Sequence, residues 1–179
     1  DVYSNGWHFK IPDSVKPTFT GLSLTDMNTV ARRLLSGNDF LQIISDIQVN
    51  FNNPSGAYGS TITGYRAEIV NKKMVVTKNG GSFGIMNFSG LATIRAYVVD
   101  SRGKQSDTKE ITINVIEYYA PSFSFSVLRT RGNPNTLQVL RNARIAPIMQ
   151  SGKQRNVMSL TFKVAQIGNE NFTDDNGSA

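Results

Sequence analysis

A chain of 179 residues, 39% of them hydrophobic, is long enough to bury the core of one β-sandwich and to begin another. It has no cysteine and one histidine, His8, which excludes a disulfide-held scaffold, thiolate zinc sites and metal centres built from several histidines. The net charge of +6 makes anionic partners worth considering, whereas no stretch approaches the roughly 20 apolar residues of a membrane span. We therefore expect a soluble chain that has no membrane partner.

Prolines divide the sequence into three parts. Residues 11–17 contain two prolines, which remove backbone hydrogen-bond donors and favour an extended linker. A second proline-bearing boundary lies at 118–121, where a new alternation of apolar and polar residues begins. We predict the end of an upstream unit and a linker over 1–13, an immunoglobulin-like sandwich over 14–119, and a partial second β unit over 120–179.

The predicted sandwich region carries the alternation that half-buried strands require. Ile47, Val49 and Phe51 alternate with polar residues, and residues 91–115 form a predicted β-hairpin. The stretch 27–35 differs, because its apolar residues have a spacing that allows one or two helical turns. About seven strands, separated by turn-forming clusters every ~8 to 12 residues, predict an immunoglobulin-like β-sandwich.

The second unit continues the all-β pattern with fewer strands. Alternation predicts strands near 122–130, 137–148 and 157–167, with turn-forming residues between them. Three strands make only part of a sandwich, so we expect residues beyond Ala179 to complete it. The predicted fold class is therefore all-β, with immunoglobulin-like units in tandem and the second unit incomplete.

Three carboxylates in the predicted hairpin are the first candidates for acid–base chemistry. Asp100 precedes the turn, and Asp107 and Glu110 follow it. An aspartate at the first position of a type I turn accepts hydrogen bonds from backbone N–H groups, so Asp100 is better explained as architecture. We interpret the other two as solvated surface residues. The sequence predicts no enzyme, no metal site and no cofactor.

Exposed aromatic rings are the candidates for sugar recognition, because the apolar face of a sugar can pack on a ring. Tyr58 is the best of them, since glycines flank it in a loop. Trp7 is a second candidate, although packing at a seam between units explains it better. The same interpretation applies to Tyr118 and Tyr119, which lie at the predicted boundary.

The excess of positive charge lies in the C-terminal third. An anionic polymer such as teichoic acid is a possible ligand, because arginine forks bind phosphates. Nucleic acid is not predicted as a partner, since no phosphate loop, RNA-binding signature or recognition helix accompanies these residues. The basic residues that could contact an anion are Arg141, Arg144, Lys153 and Arg155.

Four segments in this order resemble the immunoglobulin-like repeats of minor structural and tail-fibre proteins from long-tailed phages of Gram-positive bacteria. They are 11–17, the Ser-Gly-Ala-Tyr-Gly-Ser loop within 55–62, the turn within 98–103, and the boundary 113–121. The resemblance implies an extracellular virion component at the tail tip or baseplate, acting as a spacer or in host attachment. It also implies other virion tail proteins as partners, host cell-wall polysaccharide or teichoic acid as a ligand, and assembly as a homo-oligomer.

Two alternatives stay open on the sequence alone. A non-catalytic carbohydrate-binding module of a secreted glycoside hydrolase would also be an all-β unit with exposed aromatic residues. A repeat of a bacterial surface adhesin would share the Asp-Ser-x-Gly hairpin turn, here Asp100 to Gly103.

Overall fold

The computed structural model describes residues 12 and 14–175, which form strands and one short helix. The chain divides into two compact units: unit 1 ends at Tyr118 and unit 2 begins at Tyr119. Trp7 and nearly all of the predicted upstream part lie outside the described residues. In the described part, no helix has the length and apolar character needed to cross a membrane.

Unit 1 is a sandwich of two sheets. Its described elements are β1 (Gly21–Asp26), α1 (Thr29–Leu34), β2 (Asp39–Leu41), β3 (Asp46–Asn52), β4 (Ile62–Ile69), β5 (Met74–Val76), β6 (Gly81–Ile85), β7 (Gly90–Asp100) and β8 (Lys109–Ile116). One sheet has the order β1-β3-β6 and the other β2-β8-β7-β4-β5. Strands β2 and β8 are parallel, and the remaining pairs of unit 1 are antiparallel.

This strand order is that of an immunoglobulin-like sandwich. In the lettering of immunoglobulin domains, β1, β3 and β6 correspond to strands A, B and E, and β4, β7 and β8 to strands C, F and G. The added strands β2 and β5 lie at the two edges of the larger sheet. The prediction of an all-β, sandwich-like fold is confirmed.

The core of unit 1 lies between the two sheets. Because successive side chains of a strand point to opposite faces, the alternation in β3 places Ile47, Val49 and Phe51 inward. The Phe51 ring packs between two other aromatic rings, with its centroid 5.6 Å from that of Phe19 and 5.0 Å from that of Tyr65. Strands β4, β7 and β8 contribute buried apolar residues to the same cluster.

Helix α1 carries the chain from one sheet to the other, since β1 belongs to the smaller sheet and β2 to the larger. The side-chain oxygen of Asn28 caps it by accepting the N–H groups of Val30 and Ala31, at 3.0 and 3.1 Å. The predicted helical turns over 27–35 are confirmed. The helix replaces the direct strand connection that a simpler sandwich would have.

Unit 2 consists of three separate two-stranded antiparallel sheets in its described residues. The pairs are β9 with β10, β11 with β12, and β13 with β14. Their bounds are β9 (Ser122–Thr130), β10 (Asn133–Arg144), β11 (Met149–Gln150), β12 (Lys153–Gln154), β13 (Lys163–Val164) and β14 (Thr173–Asp174).

The predicted strand over 157–167 is wrong, because only Lys163–Val164 is a strand there. The alternation that suggested it is nevertheless present in the structure. Met158, Leu160 and Phe162 are half-buried, whereas the residues between them are exposed. Alternation determines which side chains share a face, but a strand also needs a neighbouring strand to receive its backbone hydrogen bonds. Within residues 14–175, most of this segment has no such neighbour.

Candidate functional site

The loop between β3 and β4 is anchored at its start by a backbone bridge. The N–H of Ser55 donates to the carbonyl of Thr18 at 2.8 Å, and the N–H of Thr18 donates back to Ser55 at 2.8 Å. The next residue must be glycine, because a Cβ on Gly56 would overlap the carbonyl of Ser60. The loop is therefore folded back on itself and follows a defined path.

Tyr58 lies at the tip of this folded loop. Its side chain is 91% exposed, the most exposed aromatic ring of unit 1 in the described residues. Its backbone adopts φ = 49°, a left-handed conformation that is uncommon for bulky residues and costs free energy. Gly59 follows with φ = 79° and completes the turn. The loop thus holds an aromatic ring outward in water, where hydrophobic packing does not account for it.

A second anchor ties the loop to the turn that follows β7. The hydroxyl of Ser60 lies 3.0 Å from Oδ2 of Asp100, to which it can donate. The N–H of Ser101 donates to the carbonyl of Thr61 at 2.8 Å. The two segments are 40 residues apart in sequence, so these bonds fix the loop to the body of the sandwich.

Asp100 holds this junction together through its buried carboxylate. Burial raises the pKa of Asp100, but hydrogen bonds from the Arg102 side chain, from the backbone N–H groups of Lys104 and Arg102, and from Ser60 outweigh it. The pKa falls to about 2. The Arg102 guanidinium lies 2.7 Å from Oδ2. The donors occupy both carboxylate oxygens, so Asp100 is an ionised structural group.

The other two carboxylates of the hairpin are each paired with a different cation. Asp107 accepts a hydrogen bond from Lys16 at 2.8 Å, which lowers the pKa of Asp107. Glu110 pairs with Arg95 across strands β7 and β8, also at 2.8 Å. The two pairs are exposed, and neither shares a pocket with the buried Asp100.

The four basic candidates of unit 2 do not form a single cluster. Arg141 and Arg144 are three residues apart in β10, so their side chains lie on opposite faces of the hairpin. Their guanidinium groups lie 5.6 Å from the Phe162 ring and 4.2 Å from the Tyr119 ring, respectively. Lys153 and Arg155 are exposed in and beside the short strand β12. Anion binding by these residues stays a prediction.

Sequence reasoning missed the exposure of the β9–β10 hairpin, whose side chains are exposed on both faces in the described residues. Phe123, Phe125 and Val127 alternate with serines in β9, and this alternation predicts the start of a second β unit. In the structure these three side chains are between 45% and 62% exposed. The alternation indicates that these side chains share a face, but it does not show that they stay about half exposed in the described unit.

The strand order and the anchored loop define an immunoglobulin-like β-sandwich protein that presents an aromatic ring on a fixed loop. Residues 2–179 match a family described as "Siphovirus protein of unknown function (DUF859)". The chain belongs to this siphovirus family, which confirms the predicted relation to phage proteins. No curated protein matches the sequence.

Proposed function

We propose that this chain is a non-catalytic structural component of the phage virion, located at the tail tip or baseplate. Its sandwich acts as a rigid spacer and presents the Tyr58 loop to polysaccharide of the host cell wall. Membership in a siphovirus family supports a phage role, and the sandwich supports a mechanical one. Other tail proteins of the virion are the proposed partners.

The exposed Tyr58 ring is the observation that carries the adhesive part of this proposal. A sugar can stack its apolar face on such a ring while its hydroxyl groups bond to neighbouring polar groups. The bonds of Ser60 and Thr61 hold the loop in place before a ligand arrives, which reduces the entropy lost on binding. Many copies in one virion would convert weak single contacts into firm attachment.

The location is tested by electron microscopy of purified virions labelled with antibodies against this chain. The proposal expects label at the tip of the tail. Absence of the chain from virions, or label confined to the capsid, would contradict it.

The adhesive role is tested by measuring binding of the purified chain to cell walls of the host. Tyr58→Ala should weaken binding about tenfold, because stacking on an aromatic ring contributes about 0.5–1.5 kcal/mol beyond the area buried. Leu91→Ala is the matched control, since Leu91 is also exposed in unit 1 and lies outside the loop. Equal binding by wild type and Tyr58→Ala would leave only the spacer role.

The same assay distinguishes a neutral sugar from teichoic acid. Binding through the tyrosine ring should change little with salt, whereas contacts between arginines and phosphates weaken as salt screens them. Loss of binding in Arg141→Ala, with strong salt dependence, would indicate the anionic polymer instead.

A further inference from the structure

The chain enters and leaves unit 1 at opposite ends of the sandwich. Strand β1 is antiparallel to β3, and β3 follows β2 through a tight turn in which the N–H of Ser45 donates to the carbonyl of Leu41. Strand β2 is parallel to β8, so β1 and β8 run in the same direction. The ion pair of Lys16 with Asp107 accordingly joins the segments that precede these two strands. The chain therefore enters at the start of β1 and leaves from the far end of β8.

Tension on the chain acts along these two strands. A force that separates the two ends of unit 1 draws β1 back toward its own start and β8 onward toward its own end. Hydrogen bonds between antiparallel strands lie across the strands, so a force along a strand is shared by the whole row of bonds. A force across the strands would instead break the bonds one after another. Unit 1 thus holds its bonds in the orientation that resists tension best.

Strand β1 is the weaker of the two strands under tension. Strand β8 pairs with β7 on one side and with β2 on the other, whereas within residues 14–175 β1 pairs only with β3. The register of β1 and β3 extends over six pairs, from Gly21 with Asn52 to Asp26 with Ile47. The force at which unit 1 opens should therefore depend on how firmly β1 is held to β3.

Side-chain hydrogen bonds reinforce this pair at its entry end. The N–H and the hydroxyl of Thr20 both donate to the carbonyl of Asn52, at 2.8 and 3.1 Å. The hydroxyl of Ser23 donates to Oδ1 of Asn52 at 2.9 Å. The side-chain amide of Asn53 donates to the Thr20 hydroxyl at 3.2 Å. With the backbone bridge of Thr18 and Ser55, these contacts form what we call the β1 clamp. Its residues are Thr18, Thr20 and Ser23, with their partners Ser55, Asn52 and Asn53.

We propose that unit 1 is a mechanical element that resists tension, and that the β1 clamp sets the force at which the sandwich opens. An element of this kind keeps a spacer at constant length when attachment to the host puts the tail under tension. The inference deepens the spacer role proposed above and rests on that role for its use in the virion. The resistance itself belongs to the chain and can be measured without virions.

Single-molecule pulling of the full chain tests the proposal, because the chain has no cysteine and handles can be attached at chosen positions. Ser14→Cys with Glu117→Cys pulls along β1 and β8, since both positions are exposed and lie at opposite ends. Ser14→Cys with Thr108→Cys keeps the first handle and moves the second to the entry end, so that β1 is pulled across its bonds. In both variants unit 2 is present but lies outside the segment under tension.

At the same pulling speed, the lengthwise pair of handles should need at least about twice the unfolding force of the crosswise pair. Equal forces in the two geometries would overturn the proposal. Low resistance in a chain that electron microscopy places at the tail tip would overturn this inference alone. A resistant chain that is absent from virions would contradict the proposed function alone.

A substitution in the β1 clamp locates the resistance. With the lengthwise handles, Ser23→Ala should unfold about two- to fivefold faster at a given force, because it removes one hydrogen bond to Asn52. Asn38→Ala is the matched control, since it removes an exposed bond to the carbonyl of Thr112 in β8, which two strands hold. That control should unfold like the parent chain. Equal acceleration in both variants, or none in Ser23→Ala, would contradict the role of the β1 clamp. Circular dichroism verifies that each variant is folded.

Discussion

Strands β7 and β9 have the same alternation of apolar and polar residues, yet the apolar residues of β7 are buried and those of β9 are exposed. In β7, Ile94, Ala96 and Val98 have no exposed surface, because the facing sheet of the sandwich covers them. In β9, Phe123 and Phe125 are about half exposed or more. Alternation thus determines that a strand has an apolar face, and the rest of the fold determines whether that face is covered.

The largest expected effect is the difference in unfolding free energy between two variants, each of which removes a phenylalanine ring from one unit. Phe51→Ala should reduce the free energy of unfolding of unit 1 by about 3–5 kcal/mol, because it leaves a cavity between two other rings. Phe125→Ala should change the unfolding of dilute, monomeric chain by less than about 0.5 kcal/mol. Urea denaturation followed by circular dichroism measures both values. A large loss for Phe125→Ala in dilute solution would show that unit 2 has a core of its own.

A smaller effect is expected at the turn that joins the two sheets of unit 1. The buried hydroxyl of Ser45 accepts the N–H of Leu41 at 2.7 Å. Ser45→Ala should lower the free energy of unfolding by about 1–3 kcal/mol, because that N–H is left without a partner. Ser124→Ala in β9 is the matched control, since its hydroxyl is exposed. Equal stability of the two variants in urea would indicate that Leu41 finds another acceptor.

The smallest expected effect is the loss of unfolding free energy in acid. The pKa of Asp100 falls from 3.8 to about 2 on folding, so between these values the unfolded chain binds more protons than the folded chain. The contribution of Asp100 is complete above about pH 4 and is lost as the pH falls toward 2.

Thermal unfolding of unit 1 across this pH range measures that contribution. In wild type the melting temperature should fall by several degrees more than in Asp100→Asn, which has no carboxylate to protonate. In Asp174→Asn, a variant of unit 2, the melting temperature should change with pH as it does in wild type, because Asp174 is exposed. Identical slopes for wild type and Asp100→Asn would show that the junction does not depend on this charge.

Much of the secondary structure of unit 1 could be predicted from its sequence, because strands and turns follow from patterns of neighbouring residues. The alternation of Ile47, Val49 and Phe51 indicates the inward face of β3, and the residues around Gly103 indicate a turn. The helix within 27–35 was predicted, but its role as a crossover between sheets depends on which strands β1 and β2 join. Pairing partners are set by distant contacts, which a single sequence does not reveal.

The candidate site was predicted only in part, because some of its features are local in sequence and others join distant segments. Glycines beside Tyr58 indicated an exposed loop, which the structure shows. Its anchoring by Asp100, through Ser60, joins segments that are distant in sequence, so local pattern could not predict it. The separation of Arg141 and Arg144 onto opposite faces was predictable from the period of a strand once β10 was assigned there.

Residue-resolved hydrogen exchange in the full chain tests most directly the claim that unit 1 covers its own apolar residues, whereas the β9–β10 hairpin of unit 2 leaves its apolar residues exposed. In dilute solution the amides of β7 should be protected to nearly the global stability, whereas those of β9 and β10 should exchange rapidly. Protection of β9 and β10 equal to that of β7 in dilute, monomeric chain would contradict the account.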